Sequence, residues 1–485
     1  MVVSDLVAAG RGLYIDGMSI SIPFDNSYAR LPTQLFTHLN PTPVSEPKLI
    51  AYNAALAAEL GITDEGTDAD LARIFAGNDV PTGAQPLAQL YAGHQFGQWN
   101  PQLGDGRAIL LGEAKGRDIQ LKGAGPTPYS RNGDGRAWLG PVLREYVVSE
   151  AMHALGIPTT RALAAVETGE DIYRETALPG AVITRVASSH IRVGTFQVLA
   201  ARGDQEGLQA LFEHAVDRHY PDAGSPLEFL NAVISAQAAL VVKWLSVGFI
   251  HGVMNTDNCA ISGETIDYGP CAFMDAFHPM QVFSSIDRRG RYAYGNQPDI
   301  IVWNMAQLAT ALVLLVEDRD AAVAEFTAAV HAMPAMIQRL WREAFAKKIG
   351  IANPRPEDEK LVTDLMGLMG KQEADFTNTF RGLSEGNARD QFLDREAFDA
   401  WSEIWEKRLE SEDKPMDLMR SVNPSAIPRN HRIEAMITSA VQGDYALFHN
   451  MQEALSSPYD APTIFPDLIH PPKDEERVTA TFCGT

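Results

Sequence analysis

A polar stretch near the middle of the chain constrains the fold more than any other feature of the sequence. It runs from His251 to Asn258 and is followed by Asp267-Tyr268-Gly269. An apolar segment typical of a helix, Phe229 to Val247, precedes it. The residues between the two polar loops, 259–266, can form two short strands around a glycine turn. The pattern therefore predicts a helix, a loop, a hairpin and a second loop.

This order is the layout of a kinase catalytic loop followed by its metal-binding aspartate. Small-molecule kinases of this layout carry His-Gly-Asp and then, five residues on, Asn. His251 and Asn258 keep that spacing, but Val253 stands where the catalytic Asp is expected. Valine cannot accept a proton, so three alternatives stay open: nucleotide binding without chemistry, Asp257 as the base, or a reaction other than γ-phosphoryl transfer. The simplest alternative is a surface turn rich in Asn and Asp.

Composition excludes several other classes of protein. The chain has 485 residues with a net charge of −22, so non-specific binding to nucleic acid is not expected, and nucleotide phosphates must meet a local basic cluster. We find no long uncharged apolar run and no secretory signal, and therefore expect a cytoplasmic protein without membrane contact. Three cysteines argue against a disulfide scaffold and fit a reducing compartment.

The region before the polar stretch contains a possible phosphate site. A glycine-rich turn ending at Gly104-Asp105-Gly106-Arg107 precedes two predicted strands, 108–113 and 118–123, and the second strand carries Lys122. Kinases place a glycine-rich phosphate turn beside a strand lysine in this way. The predicted helix from Trp138 to Leu155 carries Glu145, which suits a partner for such a lysine; its alternative is a solvated helix face.

Two further segments suit phosphate. Residues 124–136 form a predicted loop dense in Gly and Arg, which exposes backbone N–H groups and guanidinium groups. Arg185 and Arg192, with hydroxyl residues between them, could clamp a terminal phosphate. The alternative is a pair of ordinary surface arginines.

The remaining secondary structure is mostly helical. We predict a helix from Pro47 to Leu60 and another from Thr67 to Phe75. Three strands are predicted at residues 161–167, 171–175 and 181–186. From Thr195 onward the apolar residues recur with the helical period.

Several long motifs resemble those of the selenoprotein O family. They are Tyr91-Ala92-Gly93-His94-Gln95-Phe96-Gly97, Pro101-Gln102-Leu103-Gly104-Asp105-Gly106-Arg107, Lys122-Gly123-Ala124-Gly125, Thr127-Pro128-Tyr129-Ser130-Arg131, the stretch from His251 to Asn258, and the terminal Cys483-Gly484-Thr485. The resemblance implies a kinase-like fold that lacks the kinase base. It further implies that ATP binds in a flipped orientation and that AMP is transferred to Ser, Thr or Tyr hydroxyls of proteins, with the chain itself among the candidate acceptors.

The resemblance also assigns roles to individual residues, each at the position that matches a family motif. It implies that Lys122 binds the nucleotide and that Glu145 is its helix partner. Further implied nucleotide contacts are Gly104, Gly106 and Arg107 in the glycine-rich turn, Asp134 and Gly135 in the following loop, and Arg185 and Arg192 at the terminal phosphate. The resemblance also implies that Asp257 is the base and that Asn258 and Asp267 are ligands of Mg²⁺ or Mn²⁺ at the nucleotide.

A redox role for the C-terminus is a second implication of the resemblance. Many members carry selenocysteine at the third-last position, where this chain has Cys483. That residue can pair with a cysteine near the second polar loop, and Cys271 is the candidate here. In some relatives the partner lies further along, where this chain has residues 282–285 and no cysteine.

Together these observations predict an α+β fold of the protein-kinase-like, bilobal kind, with a mixed N-lobe sheet and a large, mostly helical C-lobe. The predicted parts are an N-terminal extension (1–85), the N-lobe (86–194), the C-lobe with its catalytic and activation segments (195–345), and a helical C-terminal extension (346–485). The predicted function is metal-dependent protein adenylylation from ATP. The alternatives are a conventional kinase with Asp257 as base and a nucleotide-binding scaffold without catalysis.

Overall fold

The computed structural model describes residues 20–482, and the chain within that range divides into two compact units. The first unit comprises residues 20–89, 104–138 and 162–186. The second comprises residues 90–103, 139–161 and 187–482. The chain is an α+β protein, as predicted, because strands dominate the first unit and helices dominate the second.

The first unit is built on an eight-stranded sheet. Seven strands follow one another in the order Phe36–His38, Leu87–Gln89, Ala108–Ala114, Arg117–Lys122, Ala177–Ala187, Arg161–Tyr173 and Lys48–Tyr52, and Ala137–Trp138 pairs with Ala177–Ala187. A separate antiparallel pair joins Ile20–Ser21 to Thr63–Asp64. The remaining elements are the helices Ala54–Glu59 and Asp68–Phe75 and the 3₁₀ turns Tyr28–Arg30 and Thr33–Leu35.

The two central strands of this sheet form a tight hairpin. Ala108–Ala114 pairs antiparallel with Arg117–Lys122, and Ala108 lies opposite Lys122. Every residue of the first strand is buried, as in a strand covered on both faces. The hairpin and the capped helix Asp68–Phe75 share one apolar core, which includes Ile109, Leu121 and Phe75.

The second unit is a helical body with two short strand pairs. Gly93–Gln95 pairs with Gln98–Asn100, and Phe249–Ile250 pairs with Ala272–Phe273. Its helices are Leu139–Ala154, Val193–Arg202, Gln205–His219, Pro226–Ser246, Gln297–Leu312, Arg319–Lys348, Asp358–Gln372, Phe376–Glu385, Arg395–Leu409, Pro415–Val422, Asn430–Val441 and Ala446–Leu455. Short 3₁₀ turns lie at Thr256–Asn258, Tyr294–Asn296, Val313–Leu315, Ala388–Gln391, Pro466–Ile469 and Asp474–Glu476.

Two helical stretches of the second unit, Pro226–Ser246 and Tyr294–Leu315, are long and apolar enough to cross a membrane. Core helices of globular proteins have the same length and composition. Pro226–Ser246 packs against Gln297–Leu312 and Arg319–Lys348, so its apolar surface is covered by neighbouring helices.

Three secondary-structure predictions need correction. Residues 259–266 do not pair with each other, because Ala260 bridges to Arg192 and Thr265 bridges to Thr159. The helix predicted from Pro47 is instead the strand Lys48–Tyr52, which pairs with Arg161–Tyr173, followed by a short helix. Residues 161–173 form one continuous strand where we predicted a break. In each case pairing with a distant segment overrides the local pattern.

Candidate active site

His251 fixes the first polar loop to the second. Its side chain is buried, and its Nε2 lies 2.8 Å from the carbonyl oxygen of Ile266. The backbone N–H of Val253 faces its Nδ1 at 3.4 Å. Burial lowers the pKa of His251, so the ring is neutral with the proton on Nε2. A neutral histidine that bonds on both sides has a positioning role and no role in proton transfer.

The turn Thr256–Asn258 closes the first polar loop. The side-chain nitrogen of Asn258 donates to the carbonyl oxygen of Val253 over 2.9 Å. Because the nitrogen is used there, the amide presents its oxygen on the other side. Val253 itself is only 6% exposed. The Val253 position therefore supports the loop, whereas Asn258 offers an oxygen ligand.

Asp257 is the buried carboxylate of this loop. It is only 6% exposed, and its Oδ2 accepts a hydrogen bond of 3.1 Å from the side-chain nitrogen of Gln95. Its Oδ1 is buried and has no hydrogen-bond partner among residues 20–482. Burial raises the pKa of Asp257 to about 6. A carboxylate with a pKa close to neutral is well suited to general-base chemistry.

Arg192 joins the two loops. One nitrogen of its guanidinium group donates to the backbone oxygen of Asp257 and to Oδ2 of Asp267, each over 2.6 Å. The ring of Tyr91 lies 4.5 Å from the guanidinium carbon and packs against it. Asp267 has a left-handed backbone with φ of 62°. The structure thus brings Arg192, Asp257 and Asp267 together, with Asn258 next to Asp257 in the chain.

The donor atoms in this group suit a hard cation that is shared with phosphate. Within the described part of the chain, no cluster of three or more His, Cys, Asp or Glu residues could hold a metal ion by itself. Asn258 and Asp267 offer one amide oxygen and one carboxylate. Mg²⁺ is commonly held by one or two such protein ligands and completes its shell with substrate phosphates and water. The residues therefore fit a metal ion that arrives with a nucleotide.

Glu145 lies in the second unit on the helix Leu139–Ala154. It is only 4% exposed, which rules out the solvated helix face considered as its alternative. Its negative charge contributes, after burial, to the raised pKa values of Tyr268 and Cys271. Glu145 therefore lies within electrostatic range of Tyr268 and Cys271, which follow Asp267. The neighbouring Arg144 donates to the carbonyl oxygen of Cys271 and to the side chain of Asn430.

In the first unit, the predicted phosphate turn lies at one end of the central hairpin. Arg107 directly precedes Ala108, which pairs with Lys122, so the turn and the lysine share this end of the hairpin. Gly104 has φ of 111°, and a Cβ there would lie 2.6 Å from the ring of Tyr129. A Cβ on Gly106 would lie 2.9 Å from the backbone oxygen of Tyr129. Both glycines allow the following loop to pack closely on the turn.

Asp134 and Gly135 shape that following loop. The carboxylate of Asp134 accepts two hydrogen bonds from Arg174, of 2.7 and 3.1 Å, and this interaction lowers the pKa of Asp134. Gly135 has φ of 68°, and a Cβ there would lie 2.1 Å from the backbone of Gly125. The loop conformation therefore requires glycine at position 135.

Arg185 is fully buried in the first unit. Its Nε and Nη2 donate to the side-chain oxygen of Gln120 over 3.1 and 2.6 Å. Gln120 in turn donates to Asp105 over 3.0 Å. Arg185 is thus tied into a buried network and is not an ordinary surface arginine. Its role at a terminal phosphate stays a prediction.

The C-terminal segment runs beside the residues that follow Asp267. The hydroxyl of Thr481 donates to the carbonyl oxygen of Pro270 over 2.6 Å. Thr481 also forms a parallel bridge with Ser284. Cys271 is buried, and burial raises the pKa of its thiol. The proposed partner, Cys483, lies outside the described residues.

The residues that support Asp257 were not predicted from the sequence. The motif Tyr91–Gly97 was predicted to belong with the glycine-rich turn that follows it. The structure separates the two, because residues 90–103 belong to the second unit, where Gln95 contacts Asp257. The only signal in the sequence was the unusual length of the motif, which did not indicate what it contacts.

Comparison with known proteins defines the class of the chain: it is an enzyme, a nucleotidyltransferase. Residues 19–456 match the family model described as "Protein adenylyltransferase SelO". A protein nucleotidyltransferase YdiU of Ruegeria sp. (strain TM1040) is 63% identical over 473 residues, which covers 96% of this chain and 100% of the relative. The proteins of the same name from Ruegeria pomeroyi and Jannaschia sp. are 63% and 55% identical at the same coverage. The chain belongs to the SelO family of protein adenylyltransferases.

Proposed function

We propose that the chain transfers AMP from ATP to Ser, Thr or Tyr hydroxyls of proteins in a metal-dependent reaction. The observation that carries this proposal is the group in which Arg192 bonds both Asp257 and Asp267 while the kinase base position holds Val253. The family assignment favours this reaction over the kinase and scaffold alternatives.

In this reaction, Asp257 takes the proton of the attacking hydroxyl. The hydroxyl oxygen forms a bond to the α-phosphorus, and the bond from that phosphorus to the oxygen bridging to the β-phosphate breaks. Pyrophosphate leaves with the bonding electrons. The buried position of Asp257 strengthens it as a base, since burial raises its pKa to about 6. Asn258 and Asp267 would hold the metal ion, which neutralises negative charge on the phosphates.

The orientation of ATP belongs to the same proposal. Arg192 and Arg185 would bind the terminal phosphate, and Lys122 would bind the same end of the nucleotide. With the γ-phosphate held there, the α-phosphorus faces the acceptor, which is the flipped arrangement. Buried guanidinium groups are suited to this, because they are fixed in place before the charge develops.

The other proposed nucleotide contacts follow the family resemblance. They are Gly104, Gly106, Arg107, Asp134, Gly135 and Glu145. Glycines at 104, 106 and 135 leave room for close approach of a backbone or a phosphate. The kinase-like, bilobal architecture is also part of the proposal.

The test is an incubation of the protein with a generic acceptor protein, Mg²⁺ or Mn²⁺, and ATP labelled at either the α- or the γ-phosphate. We expect label on protein from the α position alone. Asp267→Ala should abolish the transfer because a metal ligand is lost. Asp222→Ala is the matched control, since it removes an exposed carboxylate from a surface turn of the same unit.

Three other outcomes contradict the proposal in different ways. Label from the γ position alone would show an ordinary kinase with Asp257 as a displaced base. Tight ATP binding without transfer of either label, under both metals, would show a nucleotide-binding scaffold. Equal activity of Asp267→Ala and the parent would remove Asp267 from the metal site.

A further inference from the structure

A short hairpin of the second unit lies directly on the catalytic loop. We call Gly93–Asn100 the covering hairpin; its strands pair Gln95 with Gln98. The backbone N–H of His94 donates to the hydroxyl of Thr256 over 2.7 Å. The backbone N–H of Phe96 donates to the side-chain oxygen of Asn255 over 3.0 Å. Two successive residues of the loop before Asp257 are therefore held by the backbone of the covering hairpin.

Side chains of Tyr292 and Gln197 also contact the covering hairpin and the loop beneath it. The hydroxyl of Tyr292 donates to the same Asn255 oxygen over 2.6 Å and lies 3.1 Å from the N–H of Phe96. The amide nitrogen of Gln197 lies 3.0 Å from Nδ1 of His94. The covering hairpin is thus held at His94 and at Phe96, on either side of Gln95, and forms a platform for that side chain.

Gln95 is the side chain that this platform directs at Asp257. Its Nε2 donates to Oδ2 of Asp257 over 3.1 Å. An ionised carboxylate only accepts hydrogen bonds, so the amide must turn its NH₂ group toward Asp257. The bond fixes the rotation of the carboxylate about its own axis. It also leaves the other oxygen, Oδ1, buried and without a partner among residues 20–482.

An unpaired buried carboxylate oxygen is costly and is usually explained by function. A donor from the substrate would satisfy Oδ1, and the attacking hydroxyl of the proposed reaction is such a donor. Gly93 lets the covering hairpin pack directly against this atom. A Cβ at position 93 would lie 2.4 Å from Oδ1 and 2.9 Å from the Cβ of Asp257, closer than any side chain can approach.

We propose that Gln95 is a positioning residue that aims Oδ1 of Asp257 at the acceptor hydroxyl, with Gly93 leaving room for the carboxylate to lie in that orientation. This inference rests on the proposed function, in which Asp257 is the base. Gln95 does not touch the acceptor; it acts through Asp257. The inference assigns a role to the Tyr91–Gly97 motif that the nucleotide contacts leave unexplained.

The primary test compares Gln95→Ala with Gln98→Ala. Gln98 is the cross-strand partner of Gln95 and is exposed, so it is a control of the same residue type in the same hairpin. We expect Gln95→Ala to lower kcat for AMP transfer roughly 10- to 100-fold, as for a displaced catalytic group, with KM for ATP within about twofold of the parent. Gln98→Ala should retain the parent kcat. Thermal melting of both variants checks that the fold is intact.

A double-mutant cycle with Asp257→Asn tests whether Gln95 acts through Asp257. The residual transfer by Asp257→Asn, followed with α-labelled ATP, should not fall further when Gln95→Ala is added. A purely structural role for Gln95 would instead lower the rate by the same factor in both backgrounds and would overturn the inference. Gly93→Ala is a second probe; it should lower kcat with unchanged KM for ATP, and parent-like kcat in this variant would contradict the steric argument.

The results distinguish a failure of the positioning role of Gln95 from a failure of Asp257 as the proposed base. If Asp257→Asn is strongly impaired while Gln95→Ala has the parent kcat, the positioning role is wrong and the proposed base stands. If Asp257→Asn transfers AMP at the parent rate, Asp257 is not the base, and the inference about Gln95 is overturned with it.

Discussion

A buried lysine in the helical body supports a quantitative prediction of stability. Lys348 ends the helix Arg319–Lys348 and is only 2% exposed. Its ammonium group donates to the side-chain oxygen of Asn423 over 2.7 Å and lies 4.3 Å from the ring centre of Phe380. Within residues 20–482 it has no carboxylate partner. Burial therefore lowers the pKa of Lys348 from 10.5 to about 7.

The size of the effect follows from this difference in pKa. Between about pH 7 and 10.5 the unfolded chain holds a proton on Lys348 that the folded chain has released, so stability rises with pH across that window. At about 1.4 kcal/mol per pH unit, the burial of Lys348 costs roughly 5 kcal/mol at pH 7 and little near pH 10. Lys348→Met removes this cost but leaves the Asn423 oxygen without its donor, which costs about 1–3 kcal/mol. The variant should be more stable than the parent by roughly 2–4 kcal/mol at pH 7.

The assay is thermal melting of the parent and Lys348→Met from pH 7 to pH 9.5. At roughly 1 °C per kcal/mol for a chain of this length, the Tm of the variant should exceed that of the parent by about 2–4 °C at pH 7. The gain should shrink with rising pH and vanish near pH 9.5. Lys347→Met, which changes the exposed neighbour, is the control and should show no such pH dependence. A Tm difference that stays constant over this range would refute the reasoning.

Two further predictions concern the second unit. Arg429→Met leaves the buried Asp375 without the partner that now lies 2.8 Å away, and should destabilise the protein by about 3–5 kcal/mol in chemical unfolding. Arg389→Met, at an exposed ion pair, should cost under about 1 kcal/mol, and similar losses in the two variants would contradict this argument. From the family resemblance we also expect oxidation to join Cys271 and Cys483; non-reducing peptide mapping that finds both thiols free under oxidant would rule this out.

The sequence predicted the elements whose signals are local. The hairpin around residues 108–122, the helix with Glu145 and the capped helix Asp68–Phe75 were all predicted within one or two residues, because alternating or helical apolar patterns and clear turn residues mark them. The strand Lys48–Tyr52 was missed because it is defined by its pairing with a strand more than a hundred residues away. No pattern within residues 47–60 contains that information.

The burial of charged residues was also not predictable from the sequence. Arg185 and Glu145 were each weighed against an exposed alternative, and both prove to be buried. A single sequence does not show this, because the partner of Arg185, Gln120, lies on another strand of the sheet. Charged residues are buried only where such partners exist, so their burial is known only once the sheet is assembled.

In the candidate site, too, the residues with recognisable chemistry were predicted from the sequence, whereas a residue that acts only through its position was not. The residues that would do the chemistry, Asp257, Asn258 and Asp267, were predicted from the kinase-like spacing and the family resemblance, because they follow one another within a short stretch. Gln95 was not found, because it is more than 160 positions away and glutamine carries no chemical signature of a base or a ligand. Its effect comes only from where the covering hairpin places it. If the cycle with Asp257→Asn shows that Gln95 acts through the base, then the orientation of Asp257 depends on a distant hairpin, and the catalytic loop by itself does not set the proposed site.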